Sequence, residues 1–321
     1  MPSRLLILVA FASIFFASGT GSAQEGIAEI PIPQNELGIA ACGAYGQAYF
    51  SLSGDGYSIL RASLNESGLT FRLPDNEYPD SVAPYAAGVN VLTARLQPEK
   101  KRIIYHFDNL GNLVARHFVS TDLDDTMMAT TSSGATILVG RYRASQNDDW
   151  EYPGIVLNAD DQVVSRFKLP LPPAGGGWSF GPSDHLLMRA DERDAYVLLH
   201  SDEPLETEIA TISENGKISV TPLPEPISDD HHDYTRWLLG PGVVVEMYDL
   251  VKAGRLVGGP FHHFDEYDMR SGKKIATKTA HMGSAHPFTA ACYYGDSLAG
   301  LGGSRDAQDG SYLRLRIAKL Q

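Results

Sequence analysis

"IAEIPIP" (residues 27–33) stands near the head of the chain, yet it has the form of an ending. Short alternations of apolar and polar residues that run into proline recur as "LTFRLP" (69–74), "SRFKLPLP" (165–172) and "SVTPLPEP" (219–226). Each of those three closes a long segment dense in strand signals, whereas the first closes nothing that precedes it. A closing phrase without an opening is expected to complete a unit that begins elsewhere in the chain.

Working outward, amphipathic helical spacing is almost absent, and short alternating or wholly apolar runs recur throughout. "AYFSLS" (48–53), "VNVLTARL" (89–96), "ATILVGRY" (135–142), "AYVLLH" (195–200) and "VVVEMY" (243–248) are examples, bounded by Gly, Asp, Asn or Pro. That punctuation, with 31 Gly and 19 Pro, predicts an all-β fold with many turns.

The runs come in a fixed order. "GVNVLTARL" leads to "KKRIIYHFDNLGNLVARHFV", two strands about a tight turn, and the same succession recurs in four other places. The turns fall at Gly68, Gly111, Asp161, Gly216 and Gly272, about fifty residues apart, with the residue types that supply positive φ angles in hairpins. One more strand candidate precedes each pair, as in "SVAPYAAG" (81–88), "TMMATTSSG" (126–134), "HLLMRAD" (185–191) and "TRWLLGPG" (235–242). Four strands per fifty residues is a propeller-blade period. A sixth copy opens with "PFTAACYYGD" (287–296) and stops at Gln321 after three strands. "IAEIPIP" is then its fourth strand. The predicted fold is a six-bladed β-propeller of four-stranded blades, the last closed by the N-terminal strand; five or seven blades, or two packed β-sandwiches, fit the recurrence less well.

The architecture resembles six-bladed propellers of the broad NHL and SMP-30/lactonase-like kind, by repeat pattern over essentially the whole chain after its first residues. No WD dipeptide and no regular kelch-type Gly-Gly pair accompanies it. The resemblance implies a channel-mouth metal that activates water or polarises a carbonyl, but the ligand motifs of such lactonases have no counterparts here.

The first 23 residues have the shape of an export signal: Arg4, an apolar run from Leu5 to Ala17, then small Gly21 and Ala23. Residues 24–321 are expected to be a single secreted or periplasmic propeller domain, without a membrane span in the mature chain. The formal net charge of −13 and the lack of a basic run argue against nucleic-acid partners and against anionic membrane surfaces.

Cys42 in "GIAACGAYG" and Cys292 in "FTAACYYGD" occupy equivalent first-strand positions of the first and sixth units. Ring closure makes those units neighbours. Export permits a disulfide, for which the loop-entropy model gives on the order of 4–5 kcal/mol; two small buried hydrophobic residues are the alternative.

Chemistry is expected where the last strand of one blade connects to the first of the next. Those connections include "TDLDD" (121–125), "AGGGWSFGPSDH" (174–185), "EPISDDHHDY" (225–234) and "AHMGSAHP" (280–287). Carboxylates and imidazoles serve divalent metals and general acid–base chemistry alike. Asp124, Asp125, Asp230 and His231 are therefore candidate ligands of a divalent metal such as calcium or zinc. His231, Asp230 and His286 are the candidate catalytic residues of a metal-assisted, lactonase-like hydrolase. The competing reading treats the same residues as ordinary acidic turns on a non-catalytic module that binds a protein, a glycan or a small molecule through its loop face. Trp178 is expected to cap the channel or offer a stacking surface, Trp150, Tyr152 and Leu256 to sit exposed on loops, and one of His262 and His263 to be buried between blades.

Overall fold

A computed structural model describes residues 28–32, 37–43, 47–54, 56–63, 68–74, 77–94, 102–119, 123–142, 149–171, 178, 188–202, 205–224, 232–252, 255–256, 261–281, 290–303 and 313–321. After β1 (Ala28–Ile32), five sheets form from consecutive stretches of chain. The first holds β2 (Leu37–Cys42), β3 (Gln47–Gly54), β4 (Gly56–Ser63) and β5 (Leu69–Arg72); the second β6 (Tyr78–Tyr85), β7 (Gly88–Ala94), β8 (Arg102–Asp108) and β9 (Leu113–Val119). The third holds β10 (Asp124–Thr130), β11 (Thr136–Arg141), β12 (Pro153–Leu157) and β13 (Val163–Lys168); the fourth β14 (Met188–Ala190), β15 (Asp194–Asp202), β16 (Leu205–Ser213) and β17 (Ile218–Pro222). The fifth holds β18 (His232–Gly240), β19 (Val243–Lys252), β21 (Phe261–Asp268) and β22 (Lys274–His281), with the short β20 (Arg255–Leu256) paired to β19.

The remaining sheet is composite. β23 (Ala290–Tyr293), β24 (Ser297–Gly303) and β25 (Leu313–Lys319) come from the C-terminal end, and β1 is its outer strand. β1 runs antiparallel to β25, with Ala28 opposite Ile317 and Ile32 opposite Leu313. The head of the chain thus completes the sheet begun by its tail. A disulfide between Cys42 and Cys292, 250 residues apart, ties β2 to β23, so the bonded alternative holds for the two cysteines.

All sheets are antiparallel ladders, and the burial of their strands explains the sequence pattern. The middle strands are covered on both faces: Thr136 to Gly140 of β11 and Gly154 to Leu157 of β12 are buried without interruption. The outer strand β13 alternates exposed and half-buried residues. Continuous apolar runs therefore mark inner strands, and alternation marks outer ones.

Successive sheets pack face to face. Val89, Val91 and Tyr105 meet Ile59 and Phe71 of the first sheet, whereas Leu92 and Ile104, pointing the other way, meet Met128, Leu138 and Ile155 of the third. Comparable clusters join the third to the fourth, the fourth to the fifth, and the fifth to the composite sheet. Each large side chain so buried contributes about 1.5–3 kcal/mol. Between the composite and first sheets the disulfide is joined by Tyr294, whose hydroxyl donates to the Gln47 carbonyl at 2.7 Å. This is an all-β propeller with four-stranded blades.

Four local expectations change. Trp178 is buried: its Nε1 donates to the Pro170 carbonyl at 2.7 Å and its own carbonyl accepts from the Tyr152 hydroxyl at 3.0 Å. It seals the interface between the third and fourth sheets and does not cap the channel. Tyr152 is buried with it, and Trp150 is half-buried with the Arg141 guanidinium over its ring. His262 and His263 are both half-buried, the latter stacked on Tyr248, because that strand places one histidine on each face. The side chain of Leu256 lies outside the described residues.

Candidate ligand site in the central channel

The first strands β2, β6, β10 and β14 bring their C-terminal ends to one mouth of the central channel. There Ala41, Cys42, Pro84, Tyr85, Thr130, Ser132 and Arg189 help line a small cavity that opens to solvent. Its walls are mostly small apolar side chains, with hydroxyls from Thr130 and Ser132 and one cation.

That cation is Arg189, in the middle of the three-residue β14. Its guanidinium reaches across the channel to three other sheets. Nη1 points at the carbonyl oxygens of Leu239 (3.4 Å) and Tyr293 (3.5 Å), and Nη2 at that of Gly43 (3.4 Å). All three contacts are long for N–H···O bonds. No carboxylate among the described residues pairs with it, and desolvation by burial pulls its pKa below the ordinary guanidinium value. The neighbouring Tyr294 phenol is pushed up by burial, with Arg189 opposing that rise. Asp191 also lines the cavity, but its oxygens are engaged: Oδ2 accepts from the Tyr196 hydroxyl at 2.6 Å, and Oδ1 from the amides of Arg193 and Asp194 at 3.1 and 3.0 Å.

A half-buried guanidinium whose hydrogen bonds run only to neutral carbonyls is under-compensated, since withdrawing an ion from water without a counter-charge is unfavourable. Its remaining donors match a carboxylate or phosphate in fork geometry. The arrangement can hold an anion.

Of the site residues singled out from sequence, only Asp124 and Asp125 are described, as backbone. Asp124 opens β10 and Asp125 follows it; their side chains are outside the described residues, and β10 places them about six residues, roughly 20 Å, from the Thr130 end that lines the cavity. Asp230, His231 and His286 are outside the described residues altogether. Arg189 carries a readable but unspecific signal, a charge between the apolar Met188 and Ala190 of a short strand.

One grouping with metal-ligand chemistry stands among the described residues, away from the channel. His106 of β8, His117 of β9 and Asp161 of the β12–β13 turn bring donor atoms within 4.8 Å of one another.

No protein-family model matches the chain, and no curated protein matches it. Solved structures do. A member of the DUF4221 family from Bacteroides vulgatus superposes with a TM-score of 0.51 at 8% identity, covering 92% of this chain and 96% of that one. The polysaccharide lyase Uly1 superposes at 0.50 with 10% identity, over 91% and 99%. At such identities the likeness concerns the fold. No helix among the described residues is long and apolar enough to cross a membrane.

Proposed function

We propose that the chain is an exported, six-bladed propeller that acts as a binding module, holding an anionic group of a small ligand or partner against Arg189 at one end of its channel. The count of six takes the composite sheet as the last blade, beside the five built from consecutive strands. Export is supported by the signal-like first 23 residues and by the disulfide, a bond that persists in oxidising compartments. The observation that carries the binding reading is the guanidinium itself, half-buried at the channel mouth, with three long contacts to carbonyls and no carboxylate partner among the described residues. An incoming carboxylate would replace three long contacts to neutral carbonyls with a charge-assisted bidentate pair.

The test is calorimetric titration of the mature protein with acetate, citrate, glucuronate and inorganic phosphate, alongside Arg189→Gln and Arg189→Lys. At least one anion is expected to bind the native protein in a one-to-one ratio. Glutamine should weaken it at least tenfold, corresponding to about 1.4 kcal/mol or more, and lysine, which keeps charge without the fork, should weaken it less. Binding that survives Arg189→Gln unchanged, or no heat from any of the four anions, contradicts the reading.

A further inference from the structure

Among the described residues, the hairpins between third and fourth strands in the second, third and fourth sheets share one turn. The fifth sheet's is one residue longer but also holds a left-handed residue in its turn. In the second, fourth and fifth sheets the left-handed residue is glycine: Gly111 at φ 86°, Gly216 at 77° and Gly272 at 65°. The third sheet places Asp161 there at φ 56°, the one non-glycine residue with positive φ among those described. Asp is among the residues that tolerate this region, though less readily than glycine. The turn is otherwise alike, with the Asp161 amide donating to the Asn158 carbonyl at 2.9 Å as the Gly111 amide does to Asp108 at 3.1 Å.

These turns press against the outer strand of the preceding sheet. A Cβ on Gly216 would stand 2.2 Å from Ser165 Oγ, and one on Gly272 would stand 2.4 Å from the Pro222 carbonyl. In the third sheet the corresponding neighbours are β8 and β9 of the second sheet, and the side chain in that position is used. Asp161 Oδ2 lies 2.7 Å from His106 Nε2 and 3.4 Å from His117 Nδ1. The carboxylate is almost fully buried, at 3% exposure, whereas His117 is 42% exposed, so the cluster opens to solvent on one side.

The hydrogen bonds around His106 fix its tautomer. Asn90 Nδ2 donates to Thr130 Oγ1 at 3.0 Å and to Thr136 Oγ1 at 3.3 Å, which turns its Oδ1 to His106 Nδ1 at 2.8 Å. The Nδ1 atom therefore carries the proton and donates. In the neutral ring Nε2 is then a bare lone pair aimed at a carboxylate oxygen, with a second imidazole beside it. A metal-bound histidine has this form, its far nitrogen fixed by an acceptor in the surrounding shell.

We propose that His106, His117 and Asp161 form a divalent transition-metal site of the zinc class that bridges the second and third sheets. Two imidazoles and one carboxylate are zinc's ordinary donors, and three protein ligands leave a fourth position for water or a ligand atom on the exposed side. Ligand bonds of about 2.0–2.2 Å space tetrahedral donors roughly 3.4 Å apart. The His117–Asp161 separation meets that spacing already, and the His106–Asp161 pair has to open by less than about 1 Å.

Because the equivalent turns of the second and fourth sheets carry glycine at this position, Asp161→Gly removes a ligand while keeping a residue that suits the turn. The mature protein is stripped with a chelator and titrated with Zn2+ by calorimetry, and with Co2+ by visible absorption. The native protein is expected to take up one zinc at micromolar or tighter affinity and to unfold roughly 5 °C higher at saturation. It should also give the intense d–d bands of a low-coordinate Co2+ site. Asp161→Gly and His117→Ala, each checked for native circular dichroism, should weaken uptake at least tenfold and remove those bands. No uptake by the native protein, or uptake by Asp161→Gly equal to the native level, overturns the assignment. The second outcome would place any bound zinc on other residues; the first would leave His106 and Asp161 as a proton-mediated ion pair.

Discussion

Breaking the Cys42–Cys292 bond is expected to lower the unfolding free energy by about 4–5 kcal/mol in the loop-entropy model and the midpoint temperature by on the order of 10 °C. The bond closes a loop of 250 residues, nearly the whole ring, so its loss restores the largest conformational freedom any single crosslink here could withhold from the unfolded chain. It joins first strands of adjacent sheets whose Cα atoms are 5.4 Å apart, within the usual range, so the native backbone accommodates it without displacement. A Cys42→Ser, Cys292→Ser double variant should therefore fold to the same structure and melt earlier. Scanning calorimetry of that variant, and of native protein whose thiols are shown free by alkylation after reduction, checks the expectation. Midpoints within about 2 °C of the oxidised protein would mean that the β1–β25 ladder alone sets the resistance to ring opening.

The second large effect belongs to that ladder. Removing residues 28–32 leaves β25 with an unpaired edge from Leu313 to Ile317, after the loss of five residue pairs. Backbone hydrogen bonds worth a net 0.5–1.5 kcal/mol each put the direct loss at roughly 2–7 kcal/mol. The exposed edge is also a template for another chain. The truncated protein is expected to elute as dimers and larger species in size-exclusion chromatography. A peptide of residues 24–33 added in excess should return it toward the monomer. A truncated protein that stays monomeric with an unchanged midpoint would show that β1 contributes nothing to closure.

Much of the fold could be read from residues, because a propeller writes its period into local chemistry. Glycine at Gly111, Gly216 and Gly272 marks the hairpins, since each requires a left-handed backbone. The continuous apolar run at Thr136 to Gly140 marks a strand covered on both faces, and the matching "AAC" segments mark neighbouring first strands. What could not be read depends on distances between sheets. Trp178 sits in a glycine-rich connection that suggests exposure, yet its indole finds the Pro170 carbonyl and a core shared by two sheets. Tyr152 follows the charged stretch "NDDWE" and is buried because its hydroxyl has a partner in the Trp178 carbonyl.

The site residues divide the same way. Arg189 points across the channel, and its reach to Gly43, Leu239 and Tyr293 exists only once the ring is assembled. His106 and His117 look like two unremarkable strand residues. The legible clue was Asp161, an aspartate in the slot where equivalent turns carry glycine, but its meaning required knowing what the turn presses against. The Asp/His connections are dense on single chain segments, and Asp230, His231 and His286 lie outside the described residues.

Hydrogen–deuterium exchange of the intact mature protein, followed by mass spectrometry, tests ring closure most directly. Closure by the head of the chain predicts that amides in 28–32 and 313–319 are protected and that both segments lose protection together as denaturant is raised. Exchange of 28–32 at the rate of an unstructured peptide, while 297–303 stays protected, would contradict it.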